Sequence, residues 1–433
     1  MQYRAQKGMK DILPQHSATW RAIEALMRKS AKLAGYREIR TPVLEQTALF
    51  TRSAGESSDV VRKEMYTFLD KGERSVTMKP ESTAGTVRAF LESGLYAQAL
   101  PLKLYYLFAP HYRYEAPQSG RLREHHQFGM ECFGAASPSA DAELISIVVD
   151  LLSEIGLSNL SVHINSIGCP SCRPAYQEAF RNYLEQKKDS LCSTCHERME
   201  INPMRVLDCK VPSCKHSLTD APTMLSHLCD DCKSHFSALQ SYLSAIGINY
   251  KIDDRIVRGL DYYTKTVFEV ITETNNGELT VCGGGRYDGL IKELGGSSIP
   301  AVGFGMGMER VLMLLEETQG GTGNLLIEEE NPELFVAILN KDLSSKAFEI
   351  MQQCRKYGLR TDMDHQSRSL KAQFKYADKL HASLVAILGD DEMEKGVIKL
   401  RDMQTKQEWE VAINEVPLAV KEYINTKNKE ASL

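Results

Sequence analysis

Apolar and polar positions along the chain follow two rhythms, and the change from one to the other marks out its elements. After Pro14, Trp20, Ile23, Met27 and Ala34 recur at helical spacing, and Gly35 stands where a helix C-cap belongs. Arg40-Thr-Pro-Val-Leu-Glu45 reads as a strand, and its Pro42 assigns that strand to an edge or an interface. Strand-like runs follow at 75–79, 104–114 and 127–133, then a helix over 139–155 and a strand over 160–165. These stretches predict an α+β region dominated by antiparallel strands.

From Cys169 to about Gly247 the chain becomes charged, cysteine-rich and helical. Strand patterning returns at 249–257 and 266–272 and leads through Gly303-Phe-Gly-Met-Gly307 into a helix over 308–317. Residues 169–248 therefore read as a helical insertion into one discontinuous domain, 1–168 and 249–318. Gln319-Gly-Gly-Thr-Gly323 and Glu328-Glu-Glu330 mark 319–331 as a flexible linker. Buried-type strands at 334–339 and 384–388, with helices between and after them, predict a small α/β domain over 332–425, leaving 426–433 as a C-terminal tail.

Composition narrows the class. A chain of 433 residues with 42% apolar content fills two or three cores. No run approaches the roughly 18 apolar residues that span a bilayer, and the N-terminus lacks an apolar signal core, so no membrane and a cytoplasmic location are expected. A net charge of −5 confines any nucleic-acid contact to a local patch. Eleven cysteines without a secretory signal belong to reduced thiols or metal sites, not to a disulfide framework. Three C-x-x-C pairs (Cys169/Cys172, Cys192/Cys195 and Cys229/Cys232) and the wider pair Cys209/Cys214 are enough for two tetrahedral structural zinc sites. The same pairs also occur as uncoordinated thiols, and spacing leaves both outcomes open. His196, His216 and His235 read as surface residues beside the cluster.

Four segments carry candidate chemistry. Between Tyr112 and Glu131, alternation puts Gln127, Gly129 and Glu131 on one strand face and Arg113 and Glu115 on one face of the strand before it, with Arg121 and Arg123 in the loop. Such a mixture suits a zwitterionic or nucleotide ligand, and equally a solvated strand face. Gly303, Gly305 and Gly307 clear one face of a strand, for a flat ligand or for tight packing, and Arg310 follows near a helix start that favours anions. Cys282-Gly-Gly-Gly-Arg-Tyr-Asp288 is a second place for close backbone approach, with a cation beside it. Arg258-Gly-Leu-Asp-Tyr-Tyr263, at the edge of an otherwise apolar strand pattern, sets a guanidinium beside two phenols.

Taken in this order, the segments resemble a known family. Residues 40–45 are similar to motif 1 of class II aminoacyl-tRNA synthetases, 112–131 to motif 2 and 303–310 to motif 3. Residues 258–263 and 283–288 resemble the two signatures of histidyl-tRNA synthetases, and 8–14 and 79–84 resemble further segments of that family. The resemblance implies a class II catalytic domain on an antiparallel sheet, with a C-terminal α/β anticodon-binding domain. Its implied substrates are L-histidine, ATP as its Mg2+ complex, and the tRNA for histidine, and its implied assembly is a homodimer through motif 1.

Residue by residue, it implies Arg113 and Arg258 at the α-phosphate as the catalytic cations, both also in contact with the histidine, and Arg310 at the γ-phosphate. Glu115 and Arg121 would meet the adenine and outer phosphates. Glu81, Thr83 and Gln127 would bind the substrate ammonium and carboxylate, with Glu131 and Tyr263, beside Tyr262, reading the imidazole. This chain departs from the family at Ser82, usually glycine, and at His125, commonly phenylalanine. Non-catalytic relatives of the synthetases typically lack the catalytic arginines and the anticodon domain, and this chain keeps both. In the C-terminal domain Arg368, Lys371, Lys375 and Lys379 form a basic stripe at helical spacing, fitting a tRNA-contacting helix or an ordinary solvated face, with Leu370, Phe374 and Ala377 opposite.

Overall fold

Pro14, whose missing N–H costs nothing at a helix start, opens α1 (Pro14–Leu33), with Trp20, Ile23, Met27 and Ala31 buried along one face. Ala34 is the C-cap, and Gly35 follows at φ 78°. After β1 (Arg37–Glu38), the strand expected over 40–45 shrinks to β2 (Leu44–Gln46). Pro42 has no N–H to offer a ladder, so pairing starts beyond it. Then come α2 (Thr47–Ala54), β3 (Tyr66–Leu69), β4 (Ser75–Met78) and α3 (Thr83–Glu92). Strands β2, β4 and β3 form a small antiparallel sheet on which Leu44, Phe68 and Leu69 are exposed.

This computed structural model describes residues 3–55, 58–117, 120–274, 277–317, 322–325, 327 and 330–431. The chain divides into two units, Met1–Ile327 and Glu328–Leu433. In the first, the chain continues through β5 (Leu102–Tyr112), β6 (Glu124–Phe133), α4 (Pro138–Ile155) and β7 (Leu160–Ser166). Helices α5 (Arg173–Lys187), α6 (Ser193–Ile201), α7 (Pro212–Ser217) and α8 (Asp230–Ala245) follow. The sheet resumes with β8 (Tyr250–Ile252), β9 (Thr264–Thr274) and β10 (Gly277–Arg286), then α9 (Leu290–Glu293), β11 (Ala301–Gly307) and α10 (Met308–Glu316). The eight strands lie in the order β1-β5-β6-β11-β10-β9-β7-β8, antiparallel except for the two outermost pairs.

Period-two alternation divides this sheet into two chemistries. On β6, Phe128, Met130 and Cys132 join Phe304 and Met306 of β11 under α1, α4, α8 and α10 in the main core. Gln127, Gly129 and Glu131 point the other way, where Gly307, Gly305 and Gly303 stand opposite them on β11. Phe236, Leu239 and Leu243 of α8 lie in the main core, so the last helix of the 169–248 stretch belongs to the sheet's covering layer. The remaining helices surround their own small core of Tyr176, Phe180, Leu184 and the cysteines. His235 is buried against Asp141, not on the surface, because α8 packs onto α4.

Much of the expected linker (319–321, 326, 328 and 329) lies outside the described residues. Thr322–Leu325 are docked on the first unit: Asn324 N donates to Ile155 O at 2.9 Å, and Leu325 is buried. The second unit contains β12 (Leu334–Ile338), α11 (Ser344–Lys356), β13 (Thr361–Met363), α12 (Leu370–Lys379) and β14 (Leu384–Leu388). It ends with α13 (Asp390–Lys395), β15 (Val397–Asp402), β16 (Glu408–Ala412) and α14 (Val416–Ala431). Its sheet order is β13-β12-β14-β15-β16, parallel among the first three strands and antiparallel thereafter. The tail expected from 426 is the continuation of α14.

Candidate active site

The floor of the site is backbone. A Cβ on Gly303 would overlap the Glu131 carboxylate, one on Gly129 the Tyr106 ring, and one on Gly283 the Arg258 guanidinium. The glycines thus let polar side chains lie flat across three adjacent strands. Glu131 is fully buried. It accepts from Thr83 Oγ1 at 2.9 Å, from Tyr106 OH at 3.3 Å and from the Tyr287 hydroxyl. Burial pushes its carboxyl up to about 8, against the pull of those hydroxyls, and the nearby Glu81 adds to the rise.

Glu81, also buried, accepts from the backbone N–H groups of Thr83 (2.6 Å) and Ala84 (2.9 Å) at the first turn of α3. Thr83 therefore bridges the two carboxyl groups. Ser82 uses its hydroxyl: Ser82 Oγ lies 2.7 Å from His111 Nε2, an interaction that glycine cannot make. His111 in turn stacks on His125, with ring centroids 5.5 Å apart and planes 28° apart. Burial, then the nearby Arg113, holds His125 down at about 3, so both its ring nitrogens stay uncharged at neutral pH.

The arginines gather at the other end. Strand β5 stops at Tyr112, so Arg113 and Glu115 are not alternating strand residues as expected but lie in the loop beyond it. Arg113 Nε donates to Pro80 O at 3.0 Å, and its guanidinium is 3.7 Å from Glu64. Arg121 pairs with Glu115, and Arg310, in the first turn of α10, donates to Gly120 O and Thr280 O. Burial and the neighbouring Arg121 lower the pKa of Arg310, the mark of cations crowded together. Burial also pushes Glu64 up to about 7, with Arg113 opposing and Glu115 reinforcing the shift. That cluster has the charge to receive a polyanion.

Residues 258–263 form a loop between β8 and β9, not a strand edge. Arg258 pairs with Glu269 of β9, its guanidinium is 5.9 Å from the Tyr263 ring centre, and its Nε is buried with no hydrogen-bond partner among the described residues. The rings of Tyr262 and Tyr263 lie 4.7 Å apart. A cavity of about 240 Å³ beside this loop is walled by Arg258, Asp261 and Tyr263 on one side and by Arg173, Asn202 and Arg205 of the cysteine-rich stretch on the other.

Four side chains depart from the sequence reading. Arg286, read as a cation beside the glycine loop, is fully buried. It is held by Asp141 (2.7 Å), Ala135 O (2.9 Å) and Ser137 O (2.8 Å). The contribution of 283–288 to the pocket wall is Tyr287, which sequence reasoning missed along with Tyr106. Tyr106 lies opposite Gly129 on the neighbouring strand, and the missing Cβ there gives its ring room to lie across the strand. Arg368 precedes α12 and is tied to Asp364 at 2.5 Å and to the Tyr376 ring, so the exposed stripe on the helix is Lys371, Lys375 and Lys379.

A glycine-floored antiparallel sheet with a buried carboxyl at one end, an arginine cluster at the other and a separate C-terminal α/β unit defines a class II aminoacyl-tRNA synthetase. The family model for histidyl-tRNA synthetase matches residues 8–311, and that of an anticodon-binding domain matches 333–423. The histidine–tRNA ligases of Caldanaerobacter subterraneus subsp. tengcongensis and Thermoanaerobacter pseudethanolicus are each 52% identical over 418 residues, covering 96% of this chain and 99% of theirs. The crystal structure of apo S. aureus histidyl-tRNA synthetase superimposes with a TM-score of 0.81 at 34% identity, covering 97% of this chain and 100% of that one. The chain belongs to the histidyl-tRNA synthetase family.

Proposed function

We propose that L-histidine lies across the glycine floor with its imidazole between Glu131 and Tyr263, beside Tyr262, and its ammonium and carboxylate among Glu81, Thr83 and Gln127. The reaction is the family's, an aminoacyl-tRNA ligation that joins histidine to its tRNA. The carboxylate oxygen attacks the α-phosphorus of ATP, the bond to the β-phosphate breaks, and pyrophosphate leaves. A hydroxyl of the terminal tRNA adenosine then takes the acyl group from the adenylate and releases AMP. Arg113 and Arg258 flank the α-phosphate and offset its growing charge, Arg310 holds the γ-phosphate, and Glu115 and Arg121 meet the adenine and outer phosphates. ATP enters as its Mg2+ complex.

The observation that supports histidine is Glu131. A neutral imidazole presents one donor and one acceptor, and a carboxyl with its pKa pushed up to about 8 sits where it can give or take a proton at neutral pH. A side chain without those nitrogens would leave buried polar groups unpaired. In this reading the second unit grips tRNA with Lys371, Lys375 and Lys379, and the exposed Leu44, Phe68 and Leu69 belong to a homodimer interface. Among the described residues no helix is long and apolar enough to cross a membrane, and we assign the protein to the cytoplasm, where tRNA is charged. ATP–pyrophosphate exchange measured with each amino acid tests the reading: exchange with histidine alone is expected, and exchange with none, or with another amino acid, overturns it.

A further inference from the structure

Eight of the eleven cysteines gather into two sets nested along the chain. Cys169, Cys172, Cys229 and Cys232 form the outer set and Cys192, Cys195, Cys209 and Cys214 the inner, and within each set all four Sγ atoms lie within 4.8 Å of one another. Cys169 Sγ is 3.5 Å from Cys172 Sγ and 3.8 Å from Cys229 Sγ, and Cys192 Sγ is 3.8 Å from Cys209 Sγ. Four thiolates around a tetrahedral zinc at about 2.3 Å stand about 3.8 Å apart from one another. A disulfide would need about 2.05 Å, and an iron–sulfur cluster holds its cysteines further apart because the cluster itself lies between them. Backbone N–H groups also support the sulfurs: Cys229 N donates to Cys172 Sγ at 3.1 Å and Cys192 N to Cys214 Sγ at 3.2 Å.

Each set adjoins residues that grip the loop from Arg258 to Tyr263. On the outer side, Arg173 follows Cys172 directly and donates to Tyr263 O. The chain just before Cys169 is stitched to the residues after the loop, with Ile167 N to Lys265 O at 2.8 Å and Lys265 N to Gly168 O at 2.9 Å. On the inner side, Asn202 and Arg205 lie between Cys195 and Cys209. Arg205 Nη2 donates to Gly259 O at 2.6 Å, and Asn202 Nδ2 to Asp261 Oδ1 at 3.2 Å.

We propose that each set binds one zinc ion, and that the two ions hold the insertion as a clamp that positions the loop carrying Arg258 and Tyr263. The metals position and do not react. The clamp, though not the metal binding, rests on the reading of this loop as substrate-contacting.

Protein purified without chelator is expected to carry two zinc ions per chain by elemental analysis, and zero, one, or iron in their place overturns the metal assignment. The double variant Asn202→Ala/Arg205→Ala leaves every cysteine in place. It is expected to keep both ions while raising KM for histidine in pyrophosphate exchange about tenfold or more and lowering kcat, because the loop carries both Tyr263 and Arg258. Two ions retained with an unchanged KM for histidine overturns the clamp. Cys192→Ser/Cys214→Ser is expected to lose one ion and to show the same rise, and retention of both ions counts against the inner site. Failure of histidine to support exchange in the unaltered protein would instead sink the active-site reading while leaving the zinc count standing, so the two failures are distinguishable.

Discussion

Glu131 shows how much of one residue's chemistry comes from its surroundings. Thr83, Tyr106 and Tyr287 all donate to it, yet burial prevails and its carboxyl titrates near 8. A folded pKa raised above the ordinary carboxyl value of 4.5 favours the native state fully at low pH, and that contribution is lost as pH rises through about 8. Urea midpoints compared at pH 6 and pH 9 should therefore fall more for the unaltered protein than for Glu131→Gln, and the opposite order would contradict the assignment. The same variant should lower kcat/KM for histidine by about 10²-fold or more in pyrophosphate exchange. The sequence already located this residue, since strand alternation and the glycine spacing both pointed to its face. It did not reveal Tyr287 or Tyr106, because both phenols reach Glu131 from other strands or the turns beyond them, and that meeting depends on register, which no local pattern encodes.

Among the elements, the long periodic ones were legible and the polar ties between them were not. Helices α1, α4 and α10 and strands β5, β6, β12 and β14 follow from apolar spacing. The strand expected over 40–45 survives only beyond Pro42, as β2, and the strand edge expected at 258–263 is a loop held by polar contacts. Arg286, the cation beside the glycine loop, is an internal tie, with Asp141 of α4 and His235 of α8 meeting at the end of β10. Asp141→Asn should destabilise the first unit by about 3 to 5 kcal/mol by leaving Arg286 buried with a weakened partner. Thermal or urea unfolding measures that cost, and a change under about 1 kcal/mol would argue against the tie. In the second unit Gln373 of α12 acts as a strand segment, accepting from Ile338 N at 2.9 Å and donating to Ile338 O at 3.0 Å. Gln373→Leu leaves both backbone groups of Ile338 unpaired and should cost about 2 kcal/mol in urea unfolding.

At the scale of the whole molecule, the domain order was legible from composition shifts, while the boundaries were set by packing. Helix α8 is read with the cysteine-rich stretch by sequence and with the main core by contact, because Phe236, Leu239 and Leu243 make one apolar stripe whatever precedes them. The three-stranded sheet keeps Leu44, Phe68 and Leu69 exposed, a cost that a second copy of the chain would remove. Light scattering should give about twice the chain mass, and Phe68→Glu with Leu69→Glu should shift it towards the monomer. A monomer from the unaltered protein would discard that interface.

The glycine floor has a further consequence for the evolution and redesign of the pocket. Because Gly129, Gly283 and Gly303 are already occupied from above by Tyr106, Arg258 and Glu131, none of these three positions accepts a side chain that could reshape the cavity around the carboxyl, whereas a Cβ on Gly305 would meet nothing closer than Gln127 at 3.4 Å. Around Glu131, drift towards a bulkier or smaller substrate has to proceed through the walls, at Tyr106, Tyr263 or Tyr287. Those same phenols lie around the carboxyl, so size and polarity cannot be tuned separately. A pocket built this way resists gradual change of substrate, since the first step that makes room also loosens the group that does the reading.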